Sequence, residues 1–169
     1  HIATPRMKLY MEYSSTIYSI YLKYVSTNDI HVYSIDECFI DATDYLKYYK
    51  MKPKEFAKMI MQDVFNQTNI TATCGIGTIL YLAKVALDIL AKHQKDNIGM
   101  LNEKLYQKYL WHYLPLTDFW HIGRGISNHL SQLGITDMYD LAHYREDVLY
   151  KEFGINAEYI IDHAWGKEP

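Results

Sequence analysis

Residues 30–43 read Ile-His-Val-Tyr-Ser-Ile-Asp-Glu-Cys-Phe-Ile-Asp-Ala-Thr. Two runs that want to be strands are broken by two adjacent carboxylates. Taking two like charges out of water is costly unless a cation joins them. The pattern therefore predicts strands over 30–35 and 38–43, folded as a tight hairpin with Asp36-Glu37 at the turn. Two readings of that turn stay open on spacing alone. It is a solvated acidic tip, of a kind common in turns. Or it is a platform for a divalent metal, since hard Mg²⁺ takes carboxylate oxygens, water and phosphate, and two-metal phosphoryl transfer needs such a platform. Asp41 reads as structural, capping toward Thr43.

The flanking sequence places this hairpin in an α+β setting. Leu9, Tyr13, Ile17, Ile20, Tyr21 and Tyr24 recur at helical spacing behind Pro5, predicting a helix over 8–27. Pro53 opens a second helix, about 54–67, with Phe56, Ala57, Ile60, Met61 and Val64 inward. Ile70 to Ile76 reads as a strand ended by Gly75 and Gly77. A third helix follows over 79–93, then a short strand from Ile98 to Leu101. Beyond residue 102 the pattern is helical only. A helix–turn–helix is expected over 116–134, with its first helix at 116–120, and three short helices near 136–143, 145–152 and 156–165. This places the domain boundary near 102, with α+β residues 1–102 before it and all-α residues 103–169 after.

Composition narrows the function. Hydrophobic residues make up 49% of 169, enough for a packed core. A net charge of -3 argues against a free-standing DNA-binding domain, so any grip on DNA must be local or lie elsewhere in a longer protein. Two distant cysteines and eight scattered histidines give neither a zinc spacing nor a disulfide framework, which suits a reducing, cytoplasmic setting. No apolar run is long enough to span a membrane. The opening His1-Ile2-Ala3-Thr4-Pro5-Arg6 reads like the middle of a protein.

Two further segments carry chemistry. Gly75-Ile76-Gly77 feeds the helix holding Lys84 and Lys92, eight residues apart and so about two turns along one face. A glycine turn entering a helix can approach phosphate, and the lysines can act as point charges on a triphosphate. The plainer alternative is a strand-to-helix turn with solvated lysines. Phe119-Trp120-His121-Ile122-Gly123-Arg124-Gly125 resembles a helix–hairpin–helix, whose glycine turn offers backbone amides to a DNA phosphate. Its alternative is an ordinary helix–helix corner.

Taken in order, Pro5-Arg6-Met7 with Tyr10, Ser34-Ile35-Asp36-Glu37, Gly75-Ile76-Gly77, Leu82-Ala83-Lys84 with Ala91-Lys92, and the 121–125 hairpin resemble the Y-family translesion DNA polymerases. The likeness is nearest to the UmuC-like (ImpB/MucB/SamB) group of Gram-positive bacteria and covers essentially the whole chain. The resemblance implies a polymerase palm, a mostly antiparallel sheet with backing helices, followed by a small helix–hairpin–helix thumb. It implies DNA-directed, error-prone synthesis past lesions in DNA repair and the SOS response, using two Mg²⁺ ions, primer-template DNA and deoxynucleoside triphosphates. Asp36 and Glu37 would be the catalytic metal ligands, Lys92 and, less strongly, Lys84 the triphosphate contacts, and Ile122, Gly123, Arg124 and Gly125 the DNA contacts. A sliding clamp, engaged through chain outside this segment, is a further candidate partner.

The family's first metal ligand and fingers lie upstream of His1, and its little finger follows Trp165-Gly166, so the resemblance implies a palm-and-thumb fragment inactive by itself. Ile79 stands where the family has asparagine, leaving Thr78 to cap the helix. His93 replaces a proline. His121 replaces the first glycine of the hairpin, a place that favours φ > 0. Two rival functions remain: a non-catalytic DNA-binding module built on the helix–hairpin–helix, and a nucleotidyl cyclase on a related sheet, which gives no reason for such a thumb.

Overall fold

The computed structural model describes residues 4–168; the reading of His1-Ile2-Ala3 as mid-protein sequence lies outside them. The chain is mixed α/β and mostly helical, and forms two compact units, His1–Ala72 and Thr73–Pro169.

The first unit runs α1 (Met7–Tyr21), β1 (Ile30–Val32), β2 (Cys38–Ile40), α2 (Thr43–Tyr49) and α3 (Pro53–Thr68). The hairpin forms as expected, antiparallel, with Ile30 opposite Ile40 and Val32 opposite Cys38. Both strands are shorter than the sequence suggests, because residues 33–37 are taken up by the turn. α3 starts at Pro53, whose missing N–H costs nothing at a first helical position. Lys52 N donates to Glu55 Oε2 at 2.8 Å, and the helix stops at Asn69 in the left-handed region, φ 57°. Its inward face is Phe56, Ala57, Ile60 and Val64. Val25, Phe56 and Ile60 centre a small core ringed by tyrosines, among them Tyr21, Tyr24, Tyr45 and Tyr49. α2 was not foreseen. Thr43 N donates to Asp41 Oδ1 at 2.9 Å, which ends the strand and turns the chain into the helix. Asp41 thus plays the structural role expected of it.

The second unit runs β3 (Cys74–Gly77), α4 (Leu80–Val85), a π-helical segment (Ala86–Leu90), a 3₁₀ turn (Ala91–His93), β4 (Ile98–Leu101), α5 (Glu103–Leu110), α6 (Arg124–Gln132), α7 (Met138–Ala142), α8 (Glu146–Phe153) and α9 (Asn156–Ala164). β3 and β4 pair in parallel, Cys74 opposite Ile98 through Gly77 opposite Leu101. Parallel pairing needs a crossover, and residues 80–93 supply it. Among the described residues the sheet expected to be mostly antiparallel is thus two separate ribbons, one antiparallel and one parallel. The helix expected at 116–120 is a single 3₁₀ turn, Leu116–Asp118. Asn102 caps α5 through Leu105 N (2.9 Å), and Asp137 caps α7 through Asp140 N (2.8 Å). The core is one large cluster including Tyr81, Leu82, Val85, Tyr106, Phe119, Leu130, Met138, Leu141 and Leu149.

Candidate functional site

Three segments carry candidate residues, and each is built by local rules. In the hairpin, Tyr33 N and Ser34 N both donate to Glu37 O, at 3.0 and 3.1 Å, closing the loop. Ser34 Oγ donates to Asp36 Oδ1 at 2.8 Å and accepts from Asp36 N at 3.4 Å. Asp36 is exposed and Glu37 half-buried. The Tyr33 ring meets Phe39 edge-on at 5.7 Å, pinning the base of the loop. Two consecutive acidic residues are thus carried on a short, braced turn, with Asp36 open to solutes. Among the described residues no three His, Cys, Asp or Glu side chains converge to hold an ion.

The glycine–lysine segment differs from its sequence reading. Gly75 and Gly77 do not end the strand; they form it. A Cβ at Gly75 would lie 2.0 Å from Ala83 O and 2.4 Å from Leu87 N; at Gly77, 2.2 Å from Ala83 N; at Gly99 on β4, 2.3 Å from Ala86 O. The glycines let the ribbon touch the crossover helix backbone to backbone. That space is filled by protein, not left for a phosphate. The N-cap of α4 is Ile79, with no side-chain cap bond, so Thr78 does not take that role; Glu168 Oε2 instead lies 3.5 Å from Tyr81 N. Lys84 is only 8% exposed and its Nζ sits 3.2 Å from Asp88 Oδ1, whereas Lys92 is exposed on the 3₁₀ turn. The π-helical segment between them breaks the regular helical step, so the two lysines do not share one environment. Burial pushes the neighbouring Cys74 thiol up to about 11, leaving it inert.

At the third segment, Ile122 N donates to Phe119 O at 3.0 Å, and His121 adopts φ 69°, the left-handed conformation anticipated for a glycine position. Its ring packs against Trp120, centroids 4.2 Å apart. Gly123 is the N-cap of α6, which has no side-chain cap bond. A Cβ at Gly123 or Gly125 would meet nothing within 4 Å, and Arg124 is exposed. Ile122 itself is buried. The first turn of α6 therefore presents backbone amides in open space, with a cation beside them.

A residue that sequence reasoning missed is His163 on α9. It is 5% exposed and stacks on Tyr81, centroids 3.8 Å apart and rings 9° from parallel. Burial, and then the nearby His121, lower its pKa to about 4. Its only sequence signal is its place on the apolar face of a helix.

The chain resembles known proteins along nearly its whole length. It is 34% identical over 166 residues to a putative UV-damage repair protein UvrX of Bacillus subtilis, covering 98% of this chain and 38% of that protein. It is 33% identical over 159 residues to DNA polymerase IV 2 of the same organism, covering 94% of this chain and 38% of the relative. A solved DinB-family error-prone DNA polymerase from Sulfolobus solfataricus superposes with a TM-score of 0.79 at 27% identity, over 99% of this chain and 50% of that one. The chain spans about 38% of the length of these curated relatives. The impB/mucB/samB family model matches residues 1–88, a stretch that contains the acidic hairpin, the glycine ribbon's first strand and Lys84. The chain belongs to the impB/mucB/samB family of Y-family polymerases.

Proposed function

We propose that this segment is the palm (residues 1–102) and thumb (residues 103–169) of a DNA-directed DNA polymerase that performs error-prone translesion synthesis in DNA repair and the SOS response. The observation that carries the reading is the braced turn with Asp36 and Glu37 side by side, inside the stretch that the family model matches.

Two hard carboxylate donors leave most coordination positions to water and phosphate oxygens, which is how Mg²⁺ is ordinarily held beside nucleotides. The donor set fits. Bound there, two Mg²⁺ ions would supply charge stabilisation at the transferring phosphoryl group and ease deprotonation of the primer 3′-hydroxyl. The chain's own work is positional. Ser34 Oγ holds the Asp36 carboxylate, and the amides of residues 33 and 34 fix the backbone carbonyl of Glu37, so the turn that carries both acids is already formed. Lys92, exposed, is assigned as a point charge for the incoming triphosphate. Lys84, buried against Asp88, is the weaker candidate. In the thumb, the backbone from Ile122 through Gly125 holds a DNA phosphate, with Arg124 and the partial positive charge of the helix start assisting. The partners are primer-template DNA and deoxynucleoside triphosphates, with a sliding clamp engaged through other parts of the protein. The setting is cytoplasmic. Among the described residues no helix is long and apolar enough to cross a membrane.

The test is primer extension past an abasic site by the protein at the length of its relatives. Asp36→Ala and Glu37→Ala each lower the rate by about 1,000-fold, the several kcal/mol that a lost metal ligand costs. Asp36 is exposed, so Asp36→Ala changes folding stability by less than about 1 kcal/mol. Parent-like extension by both variants sinks the reading and leaves the non-catalytic DNA-binding module in its place.

A further inference from the structure

A cavity of about 350 Å³ lies wholly within the first unit, lined by four tyrosines, three aspartates and Thr43. Among the described residues no lysine, arginine or histidine lines it. Two of its aspartates, Asp29 and Asp41, extend the β1–β2 ladder by one step: Asp41 N donates to Asp29 O at 2.9 Å, just beyond the Ile30–Ile40 pair. Like charges opposite one another on paired strands are destabilising. Their hydrogen bonds come from neutral donors, Tyr45 OH to Asp29 and Thr43 N to Asp41, which orient the carboxylates and leave their charge uncancelled. The third, Asp44, faces Lys47 at 3.7 Å, and both of those side chains are exposed.

The tyrosines complete the chemistry. Tyr24 OH donates to Asp63 at 2.9 Å and Tyr49 OH to Tyr24 O at 3.3 Å, so these hydroxyls are committed to protein partners. Their rings remain as walls. Tyr48 packs edge-on to Tyr49, centroids 5.0 Å apart, and is 78% exposed, so its ring is open to a solute. Aromatic faces beside carboxylates favour a cation with an apolar body. An anion would meet the like charges of Asp29 and Asp41. A bare metal ion would need converging ligands, and among the described residues no three acidic or imidazole groups converge.

We propose that this cavity binds an organic cation, an alkylammonium or guanidinium head on an aliphatic stem, with the head at Asp29 and Asp41 and the stem against the tyrosine rings. The site is separate from the acidic turn. Asp41 and Glu37 are four residues apart along an extended strand, roughly 13 Å. The proposal therefore stands or falls independently of the polymerase reading.

The experiment is an amide NMR titration of this chain with two probes, 1,5-diaminopentane and N-acetyl-lysine N-methylamide, and with 1-pentanol as a neutral counterpart. Saturable shifts centred on Asp29, Asp41, Thr43 and Tyr45 are expected from the charged probes, with dissociation constants of about 1–10 mM. Saturation by the diamine alone assigns free amines as the source; saturation by the lysine derivative alone assigns a side chain borne on a polypeptide. The double variant Asp29→Asn/Asp41→Asn keeps an oxygen acceptor for Tyr45 and Thr43 and removes the charge, and binds about tenfold more weakly. Three results overturn the proposal: no saturation by either charged probe, equal binding of 1-pentanol, or undiminished binding by the double variant.

Discussion

Replacing Gly75 with alanine places a methyl carbon 2.0 Å from the Ala83 carbonyl oxygen and 2.4 Å from Leu87 N. Both obstacles are backbone, so no side chain can swing aside. Reaching ordinary van der Waals contact requires the crossover helix to retreat by about 1.4 Å, and dispersion contacts fade steeply over such a gap. Tyr81, Leu82, Val85 and Ala86 on that helix are fully buried and would lose their packing together. The expected cost is at the upper end for overpacked cores, about 3 kcal/mol. For a unit of roughly 100 residues that corresponds to a fall in Tm of about 12–24 °C. The same chemical change at Gly125 is the control. A Cβ there meets nothing within 4 Å, and the residue lies in the first turn of α6. Gly125→Ala therefore raises stability by about 0.5–1 kcal/mol, by reducing the freedom of the unfolded chain. Thermal melts followed by circular dichroism, with urea titrations for the free energies, read both. A Gly75→Ala protein that melts within about 4 °C of the parent would show that ribbon and helix are not seated backbone to backbone.

Two other perturbations test a pair of stacked histidines in the second unit, His163 and His121, whose ring centroids lie 5.7 Å apart. His163 is neutral in the fold, its pKa lowered to about 4, while the unfolded chain titrates near 6.5. Its full contribution is present above pH 6.5 and is lost as pH falls toward 4, at about 1.4 kcal/mol per pH unit at most. Urea titrations at pH 7 and pH 5 should show that loss, and His163→Phe, which keeps a ring against Tyr81, should remove most of it; an unchanged pH profile in the variant counts against a buried neutral imidazole. At His121, φ 69° tolerates valine poorly. His121→Val should be less stable than His121→Gly by about 1–2 kcal/mol, and equal urea midpoints for the two would argue against a left-handed residue there.

Much of the architecture was legible because it rests on local rules. Asp36-Glu37 between two apolar runs gave the hairpin, Pro53 gave the start of α3, and the loss of strand pattern after Leu101 gave the helical half. The errors arose where tertiary contact overrides local pattern. Gly75 and Gly77 look like turn residues in a sequence, yet they are strand residues whose Cβ space a helix occupies. That approach depends on residues 83–87 packing back across the ribbon, which no window around 75 reveals. The exchange from α to π winding at 86–90 has no local signature either, so Lys84 and Lys92 read as neighbours on one face. α2 was hidden because Tyr45, Tyr48 and Tyr49 suit strands as well as helices. Of the candidate residues, the acidic pair stands out by charge placement, which leaves a solvated tip and a metal platform both open, and the left-handed turn at His121 was readable from the glycine it replaces. The stacked His163 was not, since its partner Tyr81 lies 82 positions away in the chain.

The β1–β2 ribbon carries carboxylates at both ends, Asp36 and Glu37 at its turn and Asp29 with Asp41 at its base. At physiological salt the Debye length is about 8 Å, shorter than the ribbon is long. Counterions therefore decouple the two poles: a cation settling at the base leaves the potential at the tip almost unaltered, and each pole can be neutralised, mutated or titrated without reporting on the other.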